Sequence, residues 1–547
     1  MCKNLSNKGF YAKLLLRLGA LIMGNVSILD CTLRDGGYIN NNNFGQKNIR
    51  KLIRYLNAAK IDIIECGYLM DNIDYDKNKT EYLSTSQADQ FTMTDNKYTL
   101  MMLGEKYNIK NLPENKDEKL DTIRLSFHKK DIKKVIDYSK VIDQKGYKLF
   151  LQPTAIMSYT EEEIIDMISI FNKLNVECVA IVDTFGQMTP EDTRKKTLLF
   201  DKYLKKDIKL GIHLHNNLQT AFANAVTFLD TVSEDRDVII DTSLLGIGRG
   251  AGNLPTELLA NYLNNRYKKN YNLEELLEAS DNIISKIKKE HDWGYSLPYY
   301  LSAINGIHPS YVIQFLERKT LNSIDINNLI KMIPEDKKIE FDKEYAEELY
   351  RIYNNKTIDD TESIRKLQKL VSKKKVILIG PGKSTIKYHN EIEEGLSQDN
   401  VFSIAINGND LYYTDATFYS NKKRYSELCK KDNLTLLTSN IKTNQEYDEL
   451  IFDYNKSLSR EYCISDNSLL IMLNILKDLD VEEILLVGFD GFSTDIRDNF
   501  YSEDKMNALT DEYIYKLNDI TTNSIKEYGK KVKIKSLTPT KYMGGTI

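Results

Sequence analysis

From residue 26 to about residue 250 the sequence alternates short, apolar, β-branched runs with longer stretches of helical periodicity. No other feature limits the fold as strongly. The runs are Val26–Thr32, Asp62–Gly67, Tyr98–Leu103, Thr122–Phe127, Lys148–Gln152, Cys178–Val182, Leu210–Leu214 and Val238–Leu245. They recur every ~24 to 36 residues, the length of one βα unit. Most are apolar on both faces, as parallel strands are when helices cover the sheet. Eight such units predict an α/β chain whose residues 26–265 form a (β/α)8 TIM barrel rather than an open doubly wound sheet.

The rest of the 547 residues divides by pattern. Residues 266–372 read as a helical extension and linker, with helical periodicity over Leu273–Lys289 and Asp342–Tyr353. The aromatic segment Trp293 to Tyr300 lies between them, and the extension either packs passively on the barrel or lids its mouth. Residues 373–547 predict a Rossmann-like domain, with strands at Val376–Ile379, Phe402–Ile406, Thr435–Leu437 and Ile484–Val487 and a helix at Ser468–Leu479. Residues 1–25 form an N-terminal extension. Its lysines and Leu14 to Leu16 resemble a signal peptide, but Arg17 interrupts the apolar run and no small-residue cleavage site follows.

Composition excludes several partners. The 75 basic and 79 acidic side chains nearly cancel, leaving a net charge of −4, which argues against bulk nucleic-acid binding. No apolar run is long enough for a membrane span. Cys2, Cys31, Cys66, Cys178, Cys429 and Cys463 include no CxxC pair, so a disulfide framework or structural zinc is not expected. A reducing, cytoplasmic compartment fits. A homo-oligomer is compatible with all of this.

Barrel chemistry sits at the C-terminal ends of the strands. Those ends carry Arg34 and Asp35, then Glu65, His128, Asp183-Thr184 and His213-Leu214-His215, and last the segment Gly246 to Asn253. His213 and His215 are two apart, so a strand projects both to one face. Asp35, from the first strand, can complete a facial set with them. Such a mixed set with open positions suits Mn²⁺, Mg²⁺, Co²⁺ or Fe²⁺ better than a closed zinc site.

These residues also carry a resemblance. Leu29-Asp30-Cys31-Thr32-Leu33-Arg34-Asp35-Gly36 resembles the D-x-T-L-R-D-G signature of the metal-dependent aldolase and lyase barrels. That superfamily includes 4-hydroxy-2-oxovalerate aldolase, hydroxymethylglutaryl-CoA lyase and isopropylmalate synthase. Asp183-Thr184-Phe185-Gly186 with Pro190, His213-Leu214-His215-Asn216, and Gly250-Ala251-Gly252-Asn253 with Glu257 are similar to three further motifs of that superfamily, in the same order. The resemblance implies that Asp35, His213 and His215 hold the divalent metal, with Asn253 as a fourth ligand. It implies that Arg34 binds an enolate oxygen, that Glu65 orients Arg34 or the metal shell, and that Thr184 contacts a substrate carboxylate. Tyr38 stands where the 4-hydroxy-2-oxovalerate aldolases have a histidine base. It can hydrogen-bond, but with an ordinary pKa near ~10 it is a poor base. His128 is the first substitute and His308 the second. Arg-Asp-Gly-Gly-Tyr followed by Asn40 to Asn43 and Phe44 resembles a subgroup in surface-polysaccharide biosynthesis; the asparagine run reads equally as a surface loop.

In the C-terminal domain, Gly380-Pro381-Gly382-Lys383-Ser384 follows a strand and opens a helix, where backbone amides can bind phosphate. It is not a Walker A loop, because the first glycine of that motif is missing. With Asn407, Ser465 to Ser468 and Asp490, its order resembles bacterial sialyltransferases that use a CMP-sugar and pterin-pyrophosphokinase-like domains. That likeness implies a nucleotide or nucleotide-sugar bound near Gly380, Gly382, Ser384, Asn407 and Asp490. A purely structural domain is the competing reading. The expectation for the whole chain is a metal-dependent lyase joining or cleaving a 2-oxo acid, such as pyruvate, and an aldehyde. A Claisen-type acyltransferase using acetyl-CoA and a non-catalytic metal-bearing scaffold are the alternatives.

Overall fold

The computed structural model describes residues 24–93, 96–116, 119–317, 321–428, 433–443, 448–458, 466–501 and 511–543. Residues 1–23 of the N-terminal extension, Cys2, Cys429, Cys463 and Ser465 lie outside the described residues. The chain forms two compact units. One runs to Pro309 and takes back Lys338–Glu340; the other comprises Ser310–Lys337 and the chain from Phe341 onward.

The first unit is the expected barrel. Its strands are β1 (Val26–Asp30), β2 (Ile63–Leu69), β3 (Lys97–Leu103), β4 (Leu120–Phe127), β5 (Lys148–Pro153), β6 (Cys178–Asp183), β7 (Lys209–Leu214) and β8 (Val238–Thr242). All pair in parallel, and β1 closes the ring by pairing with β8 in the register Val26↔Val238 and with β2 in the register Leu29↔Ile63. A two-residue strand, Glu81–Tyr82, is appended to β2. The strands are almost wholly buried, as the two-faced apolar pattern requires. Helices start on sequence signals: Thr160 and Glu163 form a capping box, as do Thr189 and Asp192 ahead of Pro190.

The barrel interior is layered by the two-residue period of its strands. Leu29, Ile63, Phe150, Cys178 and Ile239 form a buried apolar floor. Two residues further along, on the same faces, Ile63 is followed by Glu65 and Ile239 by Asp241. Those acids belong to a charged layer above the floor.

Two strand ends differ from the sequence reading. β1 stops at Asp30, and Thr32–Asp35 is a helical turn. β8 stops at Thr242, and a 3₁₀ turn, Leu244–Gly246, follows. In each case a side chain captures a backbone amide and ends the ladder: Asp30 Oδ1 accepts from Thr32 N at 2.9 Å, and Thr32 Oγ1 accepts from Leu244 N at 2.9 Å. Beyond the barrel, the helix expected over Leu273–Lys289 is interrupted by a π-helical segment, Ser280–Ile284.

The second unit holds a seven-stranded parallel sheet: β9 (Lys375–Ile379), β10 (Val401–Ile406), β11 (Ala416–Tyr419), β12 (Leu434–Thr438), β13 (Glu449–Phe452), β14 (Glu483–Val487) and β15 (Ile534–Ser536). Its order is β13-β12-β11-β10-β9-β14-β15. The direction of winding reverses between β9 and β14, which makes their carboxyl ends the switch point. The all-apolar face of Ser468–Leu476 packs on this sheet. No helix among the described residues is long and apolar enough to cross a membrane.

Candidate active site

The turn after β1 is built by its own motif. Asp30 takes Thr32 N on one oxygen and Thr256 Oγ1 on the other, at 2.6 Å. Burial pushes its carboxyl up to about 6 against those hydrogen bonds. Asp30 and Thr32 are therefore pins, and what they present is Arg34 and Asp35. Arg34 Nε donates to Glu65 Oε2 at 2.7 Å, and its NH1 donates to Asp35 Oδ1 at 2.8 Å.

Arg124 and Asp241 join this cluster. Arg124 NH1 lies 2.9 Å from the same Glu65 oxygen, and its NH2 pairs with Asp241 Oδ2. Asp241 in turn lies 2.9 Å from His213 Nδ1. None of these six side chains is more than 7% exposed. Burial alone would raise Asp35, but its neighbours, the Arg34 guanidinium foremost and the Asn253 hydrogen bond with it, outweigh burial and hold the carboxyl down at about 2. Asp241 is likewise held low against burial, by Arg124 and His213.

Asp241 fixes the tautomer of His213: Nδ1–H donates to the carboxylate, leaving a lone pair on Nε2. That Nε2 lies 3.4 Å from His215 Nε2 and 3.9 Å from Asp35 Oδ2. Neighbouring ligands of a six-coordinate ion with bonds of about 2.1 Å stand about 3 Å apart, close to this spacing. Burial pushes the His215 imidazole down to about 3, so it is a neutral donor. One ligand atom from each of Asp35, His213 and His215 lies within 4.8 Å of the others.

Asn253 reaches the same point because its loop folds back on β7. His215 and Asn253 form an antiparallel bridge, and Asn216 N donates to Gly252 O at 2.8 Å. Gly252 makes the return possible at φ +82°; a Cβ there would lie 2.0 Å from Gly246 O. Asn253 Nδ2 donates to Asp35 Oδ2 at 2.6 Å, while its buried Oδ1 has no partner. An orphaned oxygen beside two converging imidazole nitrogens and an ionised aspartate fits a divalent cation.

The mouth above is a cavity of about 90 Å³ that includes Arg34, Asp35, Tyr38, Thr184, His213 and His215 in its lining. Tyr38 is 48% exposed at its rim and meets Tyr68 edge-on. Thr184 Oγ1 accepts from Ala155 N at 2.7 Å. His128 pairs through Nδ1 with Thr154 Oγ1 at 3.0 Å and lines a separate cavity of about 30 Å³. His308 hydrogen-bonds Arg249. Sequence reasoning passed over Arg124, Asp241 and Arg249. The first two had a signal, a lone charge inside an apolar strand run. Asp183 does scaffolding work in its motif, accepting from Gln187 N at 2.9 Å and Met188 N at 3.0 Å.

In the second unit a cavity of about 160 Å³ opens at the switch point, lined in part by Gly382, Asn407, Ser468, Asp490 and Phe500. Gly380 and Gly382 serve close backbone approach: Gly382 N donates to Gly488 O at 2.9 Å, and a Cβ on Gly382 would lie 2.5 Å from that oxygen. The Ser384 amide, 2.9 Å from Asp490 Oδ2, and the Ser384 hydroxyl both donate to the Asp490 carboxylate. The donors of this turn are thus met by a side chain of the same unit. Asn407 Nδ2 donates to Ser468 Oγ at 3.0 Å.

Fold and mouth together define a class: a closed parallel barrel with a two-histidine, one-carboxylate ligand set. Known proteins narrow it. The family model described as HMGL-like matches residues 122–283. The 4-hydroxy-2-oxovalerate aldolase of Geobacillus genomosp. 3 is 24% identical over 269 residues, covering 48% of this chain and 77% of that one. The 4-hydroxy-2-oxovalerate aldolase of Thermomicrobium roseum is 24% identical over 269 residues, covering 48% and 73%. Among solved structures, the N-terminal domain of a Bacteroides vulgatus protein aligns at 26% identity and a TM-score of 0.46, covering 53% of this chain and 96% of that one. The family match and the aldolase relatives support the resemblance to HMGL-like barrels drawn from the motifs.

Proposed function

We propose that the barrel is a divalent-metal-dependent aldolase that makes or cleaves a carbon–carbon bond through the enolate of a 2-oxo acid, pyruvate with an aldehyde. The observation that carries this reading is the convergence of Asp35, His213, His215 and the orphaned Asn253 oxygen beside Arg34 in one mouth. When bound, Mn²⁺, Mg²⁺ or Co²⁺ supplies positive charge where the enolate develops its negative charge. Arg34, held by Glu65 and Asp35, offers its remaining N–H groups to the enolate oxygen. Thr184 contacts the substrate carboxylate, and Tyr38 hydrogen-bonds the aldehyde oxygen at the rim. The barrel floor keeps bulk water away from the buried side of the site.

We also infer a sugar-derived aldehyde, in surface-polysaccharide biosynthesis, from the Arg34 to Phe44 pattern. The switch-point cavity of the second unit is assigned to a nucleotide or nucleotide-sugar, on the order of its motifs and the general preference of ligands for such crevices.

The test is deuterium incorporation into the methyl group of pyruvate, read by mass spectrometry with full-length protein and Mn²⁺. Exchange well above buffer that disappears in His213→Ala is expected. No exchange with Mn²⁺, Mg²⁺ or Co²⁺ overturns the aldolase reading. Turnover that requires acetyl-CoA replaces it with the acyltransferase.

A further inference from the structure

We propose that Arg249 is a specificity-determining residue that clamps a substrate carboxylate at the barrel mouth; the proposal rests on the aldolase reading above. Arg249 lies on the loop after β8 and lines the mouth together with Arg34, Tyr38 and the two histidines. The other guanidiniums of the site are already paired. Arg34 is bound by Glu65 and Asp35, and Arg124 by Glu65 and Asp241.

Arg249 is held differently. Its NH2 donates to His308 Nε2, and its guanidinium carbon stands 5.7 Å from the centroid of the Tyr38 ring. Among the described residues no carboxylate pairs with it. His308 accepts that bond and is therefore a neutral imidazole; burial, with Arg249 beside it, pushes its pKa down to about 3. The imidazole is itself fixed. Its backbone N–H donates to Lys338 O at 2.8 Å, and its ring meets Phe185 edge-on at 6.2 Å. A neutral acceptor and an aromatic face position the guanidinium without discharging it. A planar fork held in this way is suited to a carboxylate that arrives from solution.

The charge balance points the same way. The buried cluster holds three carboxylates, Asp35, Glu65 and Asp241, against two guanidiniums, which leaves one negative charge. A divalent cation turns this into one positive charge, and Arg249 makes it two. The enolate of a 2-oxo acid carries two negative charges, one on its carboxylate and one on its enolate oxygen. The carboxylate chemistry can come from the oxo acid itself or from an acidic group on the aldehyde.

The experiment compares the full-length wild type with Arg249→Gln and Arg249→Lys in three measurements. These are pyruvate deuterium exchange with Mn²⁺, aldol turnover of pyruvate with propanal against succinic semialdehyde, and calorimetric binding of oxalate with and without Mn²⁺. If the clamp holds the oxo acid, R249Q raises the KM for pyruvate exchange at least tenfold with kcat changed less than threefold. If it holds the aldehyde, pyruvate KM is unchanged and the preference for succinic semialdehyde over propanal falls at least tenfold. R249K, which keeps the charge but loses the fork, recovers part of either loss, and it carries the test should R249Q lose the native Trp293 fluorescence. An R249Q protein that is native but unaltered in pyruvate KM and in aldehyde preference overturns the proposal. A wild type with no exchange overturns the aldolase reading instead. Oxalate then decides the clamp alone: binding at least tenfold weaker in R249Q sustains it, and equal binding overturns it.

Discussion

Replacing Glu65 by glutamine should cost the barrel ~3–5 kcal/mol, the range for breaking a buried ion pair by removing one partner. Glu65 is fully buried, and a single oxygen, Oε2, accepts from Arg34 Nε at 2.7 Å and stands 2.9 Å from Arg124 NH1 as its ion-pair partner. Glutamine keeps the shape and one acceptor oxygen, so the substitution removes charge and little else. Arg34 then keeps only Asp35, and Arg124 only Asp241, as a charged partner. The charge-assisted bond from Arg34 by itself is worth ~1.5–3 kcal/mol, which sets the floor of the expectation. The readout is built into the chain. Trp293 is its single tryptophan, is 5% exposed, and donates from Nε1 to Leu245 O at 3.2 Å in the loop after β8. Its fluorescence during urea unfolding therefore follows the barrel rather than the second unit. A loss below ~1 kcal/mol, with the denaturant slope unchanged, would refute the view that Glu65 holds the two guanidiniums by charge.

Two further outcomes follow from geometry. Burial pushes the Asp183 carboxyl from 3.8 up to about 7. The native state thus keeps a proton that the unfolded chain has already released, and wild-type stability falls as pH rises from about 4 to about 7. Asp183→Asn removes that dependence, so its stability relative to wild type should climb by ~1.4 kcal/mol per pH unit between pH 5 and 7 and then level off; a flat difference in urea melts would contradict this. At Gly248 a Cβ would lie 2.3 Å from Asn253 Nδ2 and 3.0 Å from Asp35 Oδ2. Gly248→Ala should disturb that pair and weaken Mn²⁺ binding at least tenfold by calorimetry while leaving the barrel folded; unaltered affinity would show that Asn253 and Asp35 are not part of the metal site.

The barrel was legible because most of its strands are short, β-branched apolar runs recurring at the length of one βα unit, and it was that length and spacing, not a period within each run, that marked them as strands. The convergence of Asp35, His213 and His215 was legible for a different reason: His213 and His215 obey the two-residue alternation, and Asp35 closely follows the first run. The second unit was harder. β11 (Ala416–Tyr419) and β13 (Glu449–Phe452) are four residues long and β15 (Ile534–Ser536) three, too short to show a period. Arg124 and Asp241 escaped notice because a charge within an apolar run reads as a blemish until its partner is seen across the barrel. At the glycine turn, the acceptor of the Ser384 amide is Asp490, over a hundred residues away in the chain, a pairing that no local pattern encodes. The exact ends of β1 and β8 depended on side-chain capture of amides by Asp30 and Thr32, a tertiary event that strand propensity does not encode.

The closure of β1 against β8 has a mechanical consequence. Asp35 follows the first strand of the ring, His213 belongs to the seventh, and Asn253 lies past the eighth, so the proposed ligand set straddles the seam where the hoop of strands is fastened. A cation seated there acts as a clasp on the tertiary structure. Loading it should raise the temperature at which the ring springs open, and stripping it should loosen that joint before any other.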